Sequence, residues 1–307
     1  MIKYKRSPIF YMGNKYKLLK DLIPLFPDSC DLFIDLFGGS GCVSMNYKGT
    51  SKTIYNELNT NIVELIKMIV NNEPQELDEY WKEQRNKYGL KIFSVTTSEK
   101  ITREEYVNRR VAFEKFRKDY NQSANKDYRD LFLLSCYSIN HLIRFNQNNE
   151  FNASNGNNSY NDKNYQQICD MHESFKNVEI VNGNAFDFNF SILTENSFVY
   201  VDCPYSGTEA IYNGKQAFGG WTVESDYKLF SLLEKLSRGG IKWGLSNVFV
   251  NRGKTNQHLI DWCEKNNWNV YHLDRNYNPF SRGNSNNDEV YICNYINENK
   301  TKQISMF

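Results

Sequence analysis

The stretch Leu-Phe-Ile-Asp-Leu-Phe-Gly-Gly-Ser-Gly at residues 32–41 decides the fold. Residues 32–36 form a nearly continuous apolar run, which is typical of a parallel strand buried on both faces. The glycines that follow allow a tight turn and close approach of the backbone to a ligand, and the next helix offers its N-terminal N–H groups. The candidate ligand-binding residues of this stretch are Asp35, Phe37, Gly38, Gly39, Ser40 and Gly41.

An acidic residue supports a ligand at this loop. Glu57 lies at the end of a second apolar run, 53–55, where an acid typically binds the two hydroxyls of a ribose. The loop is not G-x-G-x-x-G, so an adenosine ligand smaller than a dinucleotide is favoured. An ordinary strand–helix turn is the alternative, which the placement of Glu57 disfavours. Asn59, two residues further on, joins the candidate cofactor-binding residues.

Similar β-type runs recur along both ends of the chain. They alternate with helical patterns at 224–237 and 255–266, and this alternation predicts an α/β fold with a mostly parallel, doubly wound sheet. The middle of the chain differs, with charged helical patterns at 103–119 and 128–139 and an Asn-rich, turn-prone stretch at 146–164. The further candidate strands are 178–181, 198–201, 241–245, 269–273 and 289–293.

The charged and Asn-rich middle predicts an inserted lobe closed by a flexible loop or hairpin. We therefore expect one domain formed by residues 1–61 and 176–307, and a second formed by residues 62–175. The 307 residues, 40% of them hydrophobic, suffice for one substantial core and a smaller lobe.

Composition excludes several classes of protein. The net charge of +1 is far from that of a protein that coats nucleic acid non-specifically, so any such contact must come from local basic surface. The seven cysteines show no CxxC spacing, which predicts neither a zinc site nor a disulfide framework. No apolar run approaches membrane-spanning length, and we expect a protein of the reducing cytoplasm that needs no metal.

A tetrapeptide follows the predicted strand 198–201. Its residues are Asp202, Cys203, Pro204 and Tyr205, and its place puts it at the carboxyl end of that strand, beside the cofactor cleft. It resembles the [DNS]-P-P-[YFW] signature of amino-methyltransferases, and within them the Dam-type, alpha-class (D12) DNA adenine methyltransferases. Cys203 departs from the first proline, but its main-chain carbonyl is the group that the motif uses. A surface turn that matches by chance is the alternative.

The resemblance implies a Rossmann-like sheet that binds S-adenosylmethionine, with an inserted, mostly helical target-recognition domain that carries a hairpin. It implies methyl transfer to N6 of an adenine flipped out of double-stranded DNA. Asp202 and the Cys203 carbonyl would accept the two amino hydrogens and localise the nitrogen lone pair, and Tyr205 would stack on the base. Such enzymes need only one copy to act on one strand, so the resemblance implies a protein that functions as a monomer.

Motifs outside the tetrapeptide extend the resemblance over nearly the whole chain. Residues 8–15 resemble the N-terminal W-x-G-[GN]-K motif, with Tyr11 at the aromatic position, Gly13 at the glycine and Lys15 at the lysine. The resemblance implies that Lys15 meets the methionyl carboxylate of the cofactor. Residues 182–187 resemble the segment along the cofactor's adenine, where Phe186 is the candidate contact. Residues 245–247 resemble a strand end that shapes the flipped-base pocket.

A second region resembles the recognition hairpin R-[YF]-N-x-x-G-E-F-N of Dam-type enzymes. Arg144 falls on the arginine that reads a guanine through O6 and N7, and the resemblance implies DNA contacts for Asn140, Leu142 and Asn152 as well. Together they suggest the target GATC. Phe10 departs from that specificity, because a lysine that contacts the first guanine often occupies its position. A phosphate contact is the alternative role of Arg144.

Several functions remain open from the sequence. The same chemistry could act on another adenine site or on cytosine N4, and the tetrapeptide does not separate these targets. A catalytically silent DNA-binding homologue would be expected to have lost some of the motifs that this chain retains. A nucleotide-dependent oxidoreductase would not explain residues 202–205 or Arg144.

Overall fold

The fold is described by a computed structural model that covers residues 3–11, 13–92, 102–205, 220–251, 253–273 and 287–296. Met12 of the N-terminal motif lies outside these ranges. Within the described residues the strands form one sheet. The strands are β1 Leu32–Asp35, β2 Thr53–Glu57, β3 Val178–Asn182, β4 Ser197–Val201, β5 Lys242–Asn251, β6 Lys254–Thr255, β7 Asn269–Leu273 and β8 Asp288–Cys293.

Helices cover this sheet and form the middle of the chain. Their start signals are local: Thr102 and Thr222 each begin a helix with a capping box, and the left-handed Gly89 ends one. The helices are α1 Leu19–Leu22, α2 Cys42–Asn46, α3 Thr60–Val70, α4 Pro74–Tyr88, α5 Arg103–Gln122, α6 Tyr128–Tyr137, α7 Asp162–Phe175, α8 Val223–Arg238 and α9 Gln257–Asn266.

The strand order is β3-β2-β1-β4-β5-β8-β7, and β6 pairs with β5 outside this path. The first five strands in this order run parallel, whereas β8 is antiparallel to both of its neighbours. This confirms the predicted mostly parallel α/β sheet. β2 and β3 lie on one side of β1, and β4 and β5 lie on the other. The carboxyl ends of β1 and β4 therefore flank the crevice in which such sheets bind ligands.

Two predicted boundaries are corrected. The pattern at 255–266 predicted a helix from residue 255, but Lys254 and Thr255 form β6 and the helix begins at Gln257. The pattern at 128–139 predicted a helix to residue 139, but α6 ends at Tyr137 and Ile139 lies in a 3-10 turn. Periodicity does not report where the backbone hydrogen bonds change partner, and element ends are the part of a sequence-based prediction most easily missed.

The middle of the chain shares a core with the sheet. One cluster of buried side chains joins Tyr55 of β2 to Ile66 of α3, Trp81 of α4, Phe132 of α6 and Phe175 of α7. Because this core is continuous, the inserted segment is braced against the sheet and has limited freedom to move as a separate body. The proposed boundary at residues 61 and 62 falls inside the first turn of α3.

The Asn-rich stretch contains a short hairpin. Phe145 and Phe151 form an antiparallel bridge, and Ser138 bridges Asn155. The amide of Asn152 donates to the carbonyl of Arg144 at 2.9 Å. The predicted loop or hairpin is thus a hairpin whose bridges span residues 138–155, and residues 162–164 of the Asn-rich stretch belong to α7.

Candidate active site

The glycine-rich turn after β1 lies against β2. The amide of Gly38 donates to the carbonyl of Asn56 at 2.8 Å, and a Cβ on Gly38 would overlap the ring of the fully buried Tyr55. The Tyr55 hydroxyl donates to the carbonyl of Gly39 at 2.5 Å. Gly39 and Gly41 both have positive φ, which glycine adopts without strain. Close packing on β2 therefore sets the path of this turn.

The Glu57 carboxylate lies at the same edge of the sheet. One of its oxygens accepts from the amide of Gly39 and the other from the amide of Asn59, each at 2.8 Å. Burial raises the pKa of Glu57, and these N–H donors oppose the rise. The carboxylate is held in a single orientation, and its remaining lone pairs can accept from two vicinal hydroxyls.

Lys15 and Asp202 form an ion pair at the carboxyl end of β4. The distance from Lys15 Nζ to Asp202 Oδ1 is 2.6 Å, and Nζ also donates to the carbonyl of Gly13 at 3.1 Å. The Lys15 side chain is only 6% exposed. Burial alone would lower its pKa, but Asp202 and Tyr205 raise it well above the usual value, so the ammonium stays charged. Burial raises the pKa of Asp202, and Lys15 opposes that rise.

The rest of the tetrapeptide packs around this pair. The Lys15 ammonium lies 5.4 Å from the centroid of the Tyr205 ring, within range of a cation–π interaction. Cys203 is 2% exposed, and burial raises the pKa of its thiol well above the usual value. A thiol so far from ionisation is a poor nucleophile, which agrees with a role for Cys203 through its main chain.

Asp35 is a buried carboxyl beneath the loop. It is 1% exposed and accepts a hydrogen bond from the Ser44 hydroxyl at 2.7 Å. Burial raises its pKa to about 7, and the negative charges of Asp202 and Glu57 add to the rise. The carboxyl ends of β1, β2 and β4 therefore bring Asp35, Glu57 and Asp202 together at one edge of the sheet.

Comparison with known proteins agrees with this geometry. Residues 11–278 match the model of the D12 class N6 adenine-specific DNA methyltransferases. The chain belongs to this family. Members of the family use S-adenosylmethionine as the methyl donor.

Three relatives are similar over almost the whole chain. Modification methylase StsI of Streptococcus sanguinis is 37% identical over 97% of the chain, and Type II methyltransferase M.FokI of Planomicrobium okeanokoites is 34% identical over 97%. Modification methylase LlaI of Lactococcus lactis subsp. lactis is 30% identical over 96%. The chain spans 44% of the length of each of these relatives.

The side chains at the sheet edge fit the methyl donor of the D12 family. Glu57 offers fixed acceptors for ribose hydroxyls, and Lys15 offers a buried cation for a carboxylate. The rings of Phe37 and Phe186 both contact the ring of Trp221. Ser40 accepts from the Asn14 amide through its hydroxyl at 3.0 Å, and so links the loop to the N-terminal motif.

The residues proposed to contact DNA lie on the hairpin and on the turn before it. Arg144 is exposed, and its guanidinium donates to the side-chain and main-chain oxygens of Asn152 at 2.8 and 2.9 Å. Leu142 is half-buried against the core, and Asn140 is exposed with a left-handed φ of 51°. Arg144 and Asn152 thus hold each other on the hairpin surface, where an approaching duplex could meet them.

Three side chains near the cleft escaped the sequence analysis. Trp221 donates from its indole N–H to the buried Asp226, which also contacts His258. A tryptophan and an acid five residues apart at the start of a helix are common, so the pattern carried no distinctive signal. Only the fold brings Trp221 into contact with Phe37 and Phe186, which lie in other parts of the chain.

The described parts of the chain contain no group of three or more His, Cys, Asp or Glu side chains that could hold a metal ion. Among the helices that the structure describes, none is both long and apolar enough to cross a lipid bilayer.

Proposed function

We propose that this chain transfers a methyl group from S-adenosylmethionine to N6 of an adenine flipped out of double-stranded DNA. The observation that carries the proposal is the Asp202 carboxylate, which the buried Lys15 holds at the carboxyl end of β4 beside the glycine-rich turn. Membership of the D12 family supports adenine as the base.

The proposed chemistry follows from the groups at this edge of the sheet. When bound, the donor would supply an electrophilic methyl group to the amino nitrogen and leave as S-adenosylhomocysteine, and the nitrogen would release one proton to Asp202 or to water. Asp202 and the Cys203 carbonyl accept the two amino hydrogens, which favours a pyramidal nitrogen with a localised lone pair. Tyr205 provides the stacking face for the flipped base. The enzyme contributes chiefly position and electrostatics.

The cofactor roles are proposed residue by residue. Lys15 donates hydrogen bonds to the methionyl carboxylate as well as to Asp202, since an ammonium carries three N–H donors. Tyr11 packs beside Gly39 and closes the pocket from the N-terminal side. Glu57 binds the ribose hydroxyls, and Phe186 lies along the adenine. The remaining cofactor contacts are proposed for Gly13, Asp35, Phe37, Gly38, Gly39, Ser40, Gly41 and Asn59.

The target sequence is proposed more broadly than the resemblance to Dam-type enzymes suggests. Arg144, with Asn140, Leu142 and Asn152 beside it, is proposed to read a guanine in the major groove. GATC is the specific prediction, but the relatives are modification methylases and their names do not support it. Phe10 stands at the position where a lysine that contacts the first guanine is often found. Its ring stacks on His141, with centroids 3.8 Å apart and an angle of 11° between the rings.

Another adenine-containing site is therefore the second candidate target, with cytosine N4 as a further possibility. We propose that residues 62–175 form the target-recognition domain and residues 1–61 and 176–307 the catalytic domain. The protein is proposed to act as a monomer on bacterial DNA in the cytoplasm, in a restriction-modification system.

The test is methyl transfer from labelled S-adenosylmethionine to unmethylated genomic DNA, with modified bases identified by mass spectrometry and mapped by long-read sequencing. N6-methyladenine in one short motif would establish the activity and its target. Detection of N4-methylcytosine would show that the target base is cytosine and not adenine. Cofactor binding without any methylated base would favour a silent DNA-binding homologue.

A further inference from the structure

Trp221 is a further aromatic residue at the proposed cofactor pocket. Its ring is stacked with Phe186 at 6.0 Å between centroids and 18° between planes, and it meets Phe37 edge-on at 5.6 Å and 78°. Phe37 follows β1 and Phe186 follows β3, so Trp221 joins the two aromatic side chains that border the adenine end of the cleft.

The indole of Trp221 is held by a buried carboxylate. Its Nε1–H donates to Asp226 Oδ1 at 2.6 Å, a short hydrogen bond. Asp226 lies in the first turns of α8, and its side chain is 2% exposed. Burial of a carboxyl group costs free energy unless its oxygens accept hydrogen bonds, so the partners of Asp226 must offset the cost of desolvation.

The second oxygen of the carboxylate is satisfied from a different helix. His258 Nε2 of α9 lies 2.7 Å from Asp226 Oδ2. The imidazole in turn packs near Phe230 of α8 at 6.2 Å between centroids. Contacts from α8 and α9 thereby fix the Asp226 side chain. Because His258 holds Oδ2, the direction of Oδ1 toward the indole is set by the packing of the two helices.

We infer that Trp221 is a cofactor-binding residue that forms one wall of the adenine pocket, and that Asp226, held by His258, is the residue that positions it. This inference rests on the proposed function, because it names a contact for the same cofactor. A rigid aromatic face presents area to a base at low entropic cost, and the hydrogen bond removes the rotational freedom that the indole would otherwise lose on binding.

The inference distinguishes the two ends of the cofactor. Trp221 contacts residues at the adenine end, whereas Lys15 and Asp202 lie at the methyl-transfer end. Replacement of Trp221 by Ala should therefore lower the affinities for adenosine and S-adenosylhomocysteine by the same factor, about tenfold or more. Replacement of Lys15 by Gln should weaken S-adenosylhomocysteine but leave adenosine, which has no carboxylate, within about twofold.

The role of Asp226 is tested by a conservative and a truncating variant. Asp226→Asn keeps an oxygen for the indole N–H and should retain S-adenosylhomocysteine affinity within about threefold. Asp226→Ala removes the acceptor and should lose about tenfold, with an increased KM for the cofactor and an unchanged kcat at saturating cofactor. A purely structural role would lower the melting temperature in both variants without this split between KM and kcat.

The experiment is calorimetric titration of the full chain with S-adenosylhomocysteine and with adenosine, together with tryptophan fluorescence of the wild type and of Trp221→Phe. The wild-type emission should change when S-adenosylhomocysteine is added, and most of that change should be absent in Trp221→Phe. Equal affinities of the wild type and Trp221→Ala for both ligands would overturn the inference while leaving the proposed function intact. Failure of the wild type to bind S-adenosylhomocysteine would instead overturn the proposed function.

Discussion

Lys15 Nζ lies 2.6 Å from Asp202 Oδ1, although the two residues are far apart in the chain. Lys15 belongs to the N-terminal motif, and Asp202 follows the end of β4. The contact joins a residue proposed to bind the cofactor to the residue proposed to bind the target amino group. Because the ammonium is nearly inaccessible to solvent, its charge acts on Asp202 with little screening. On the proposed roles, Lys15 would both bind the cofactor and orient the catalytic carboxylate.

Substitution of Asp202 by Ala should abolish methyl transfer while S-adenosylhomocysteine binding persists within about tenfold. Alanine removes the oxygen that accepts the amino hydrogen, and turnover depends on that acceptor. Single-turnover methylation assays and calorimetry measure the two quantities. Asp261→Ala, at an exposed position of α9, is the matched control and should retain full turnover. Near-normal turnover of the Asp202 variant would contradict the assigned chemistry.

Asp35 should make stability depend on pH. Burial raises its pKa to about 7, so the folded state favours the protonated carboxyl. Its stabilising contribution is complete below the unfolded pKa near 4 and is lost as the pH rises through about 7. Asp35→Asn should therefore be more stable than the wild type at pH 8, by at most about 4 kcal/mol, with a flatter profile between pH 4 and 7.

Urea unfolding at a series of pH values checks this expectation. Some pH dependence should remain in Asp35→Asn, because burial also raises the pKa values of Glu57 and Asp202. Asp187→Asn should follow the wild-type profile. A profile for Asp35→Asn that parallels the wild type would mean that Asp35 is ionised in the folded protein at neutral pH.

The sheet could be predicted because its strands are local signals. The apolar run at 32–36 became β1, and the runs at 178–181 and 198–201 became β3 and β4 within a residue or two. Glu57 was placed correctly at the end of β2 for the same reason, since parallel strands end at a common edge.

Other features of the site depend on contacts between distant parts of the chain. The Phe10–His141 stack joins the N-terminal motif to the start of the hairpin, and the Asp226–His258 contact joins α8 to α9. Such pairs leave no periodicity, and each member has many ordinary roles at its own position. The Lys15–Asp202 ion pair was missed for this reason, although each residue had been chosen as functional by itself.

Gly38→Ala should disable the glycine-rich turn. A Cβ at this position overlaps the ring of Tyr55, which is fully buried and whose hydroxyl is engaged with the Gly39 carbonyl. We expect a loss of about 1–3 kcal/mol in unfolding free energy and at least a tenfold loss of S-adenosylhomocysteine affinity. Urea unfolding and calorimetry measure the two losses.

The control for this variant is Gly89→Ala at the end of α4. Its added Cβ meets no atom within 4 Å, so only the left-handed φ of 70° is strained. It should lose about 1 kcal/mol of stability with unchanged cofactor affinity. Unchanged affinity in Gly38→Ala as well would show that the turn does not form the cofactor site.

Arg144→Ala should relax discrimination at one guanine more than it weakens binding to unrelated DNA. In the structure Asn152 holds the guanidinium through two hydrogen bonds, at 2.8 and 2.9 Å, so the fork is oriented before DNA arrives. Loss of a bidentate contact should cost about 1–3 kcal/mol on the preferred site. Arg144→Lys should not restore discrimination, because an ammonium lacks the planar fork.

Single-turnover methylation of duplexes that differ at one base pair measures this discrimination, and the salt dependence of binding measures phosphate contacts. Arg110→Ala is the matched control, since Arg110 is an exposed arginine of α5 paired with Glu114. If Arg144→Ala lost affinity equally on all sequences and reduced the salt slope by about one, Arg144 would be a phosphate contact. The guanine would then have to be read by other side chains, and the Phe10–His141 stack marks a place where the chain departs from the Dam-type pattern.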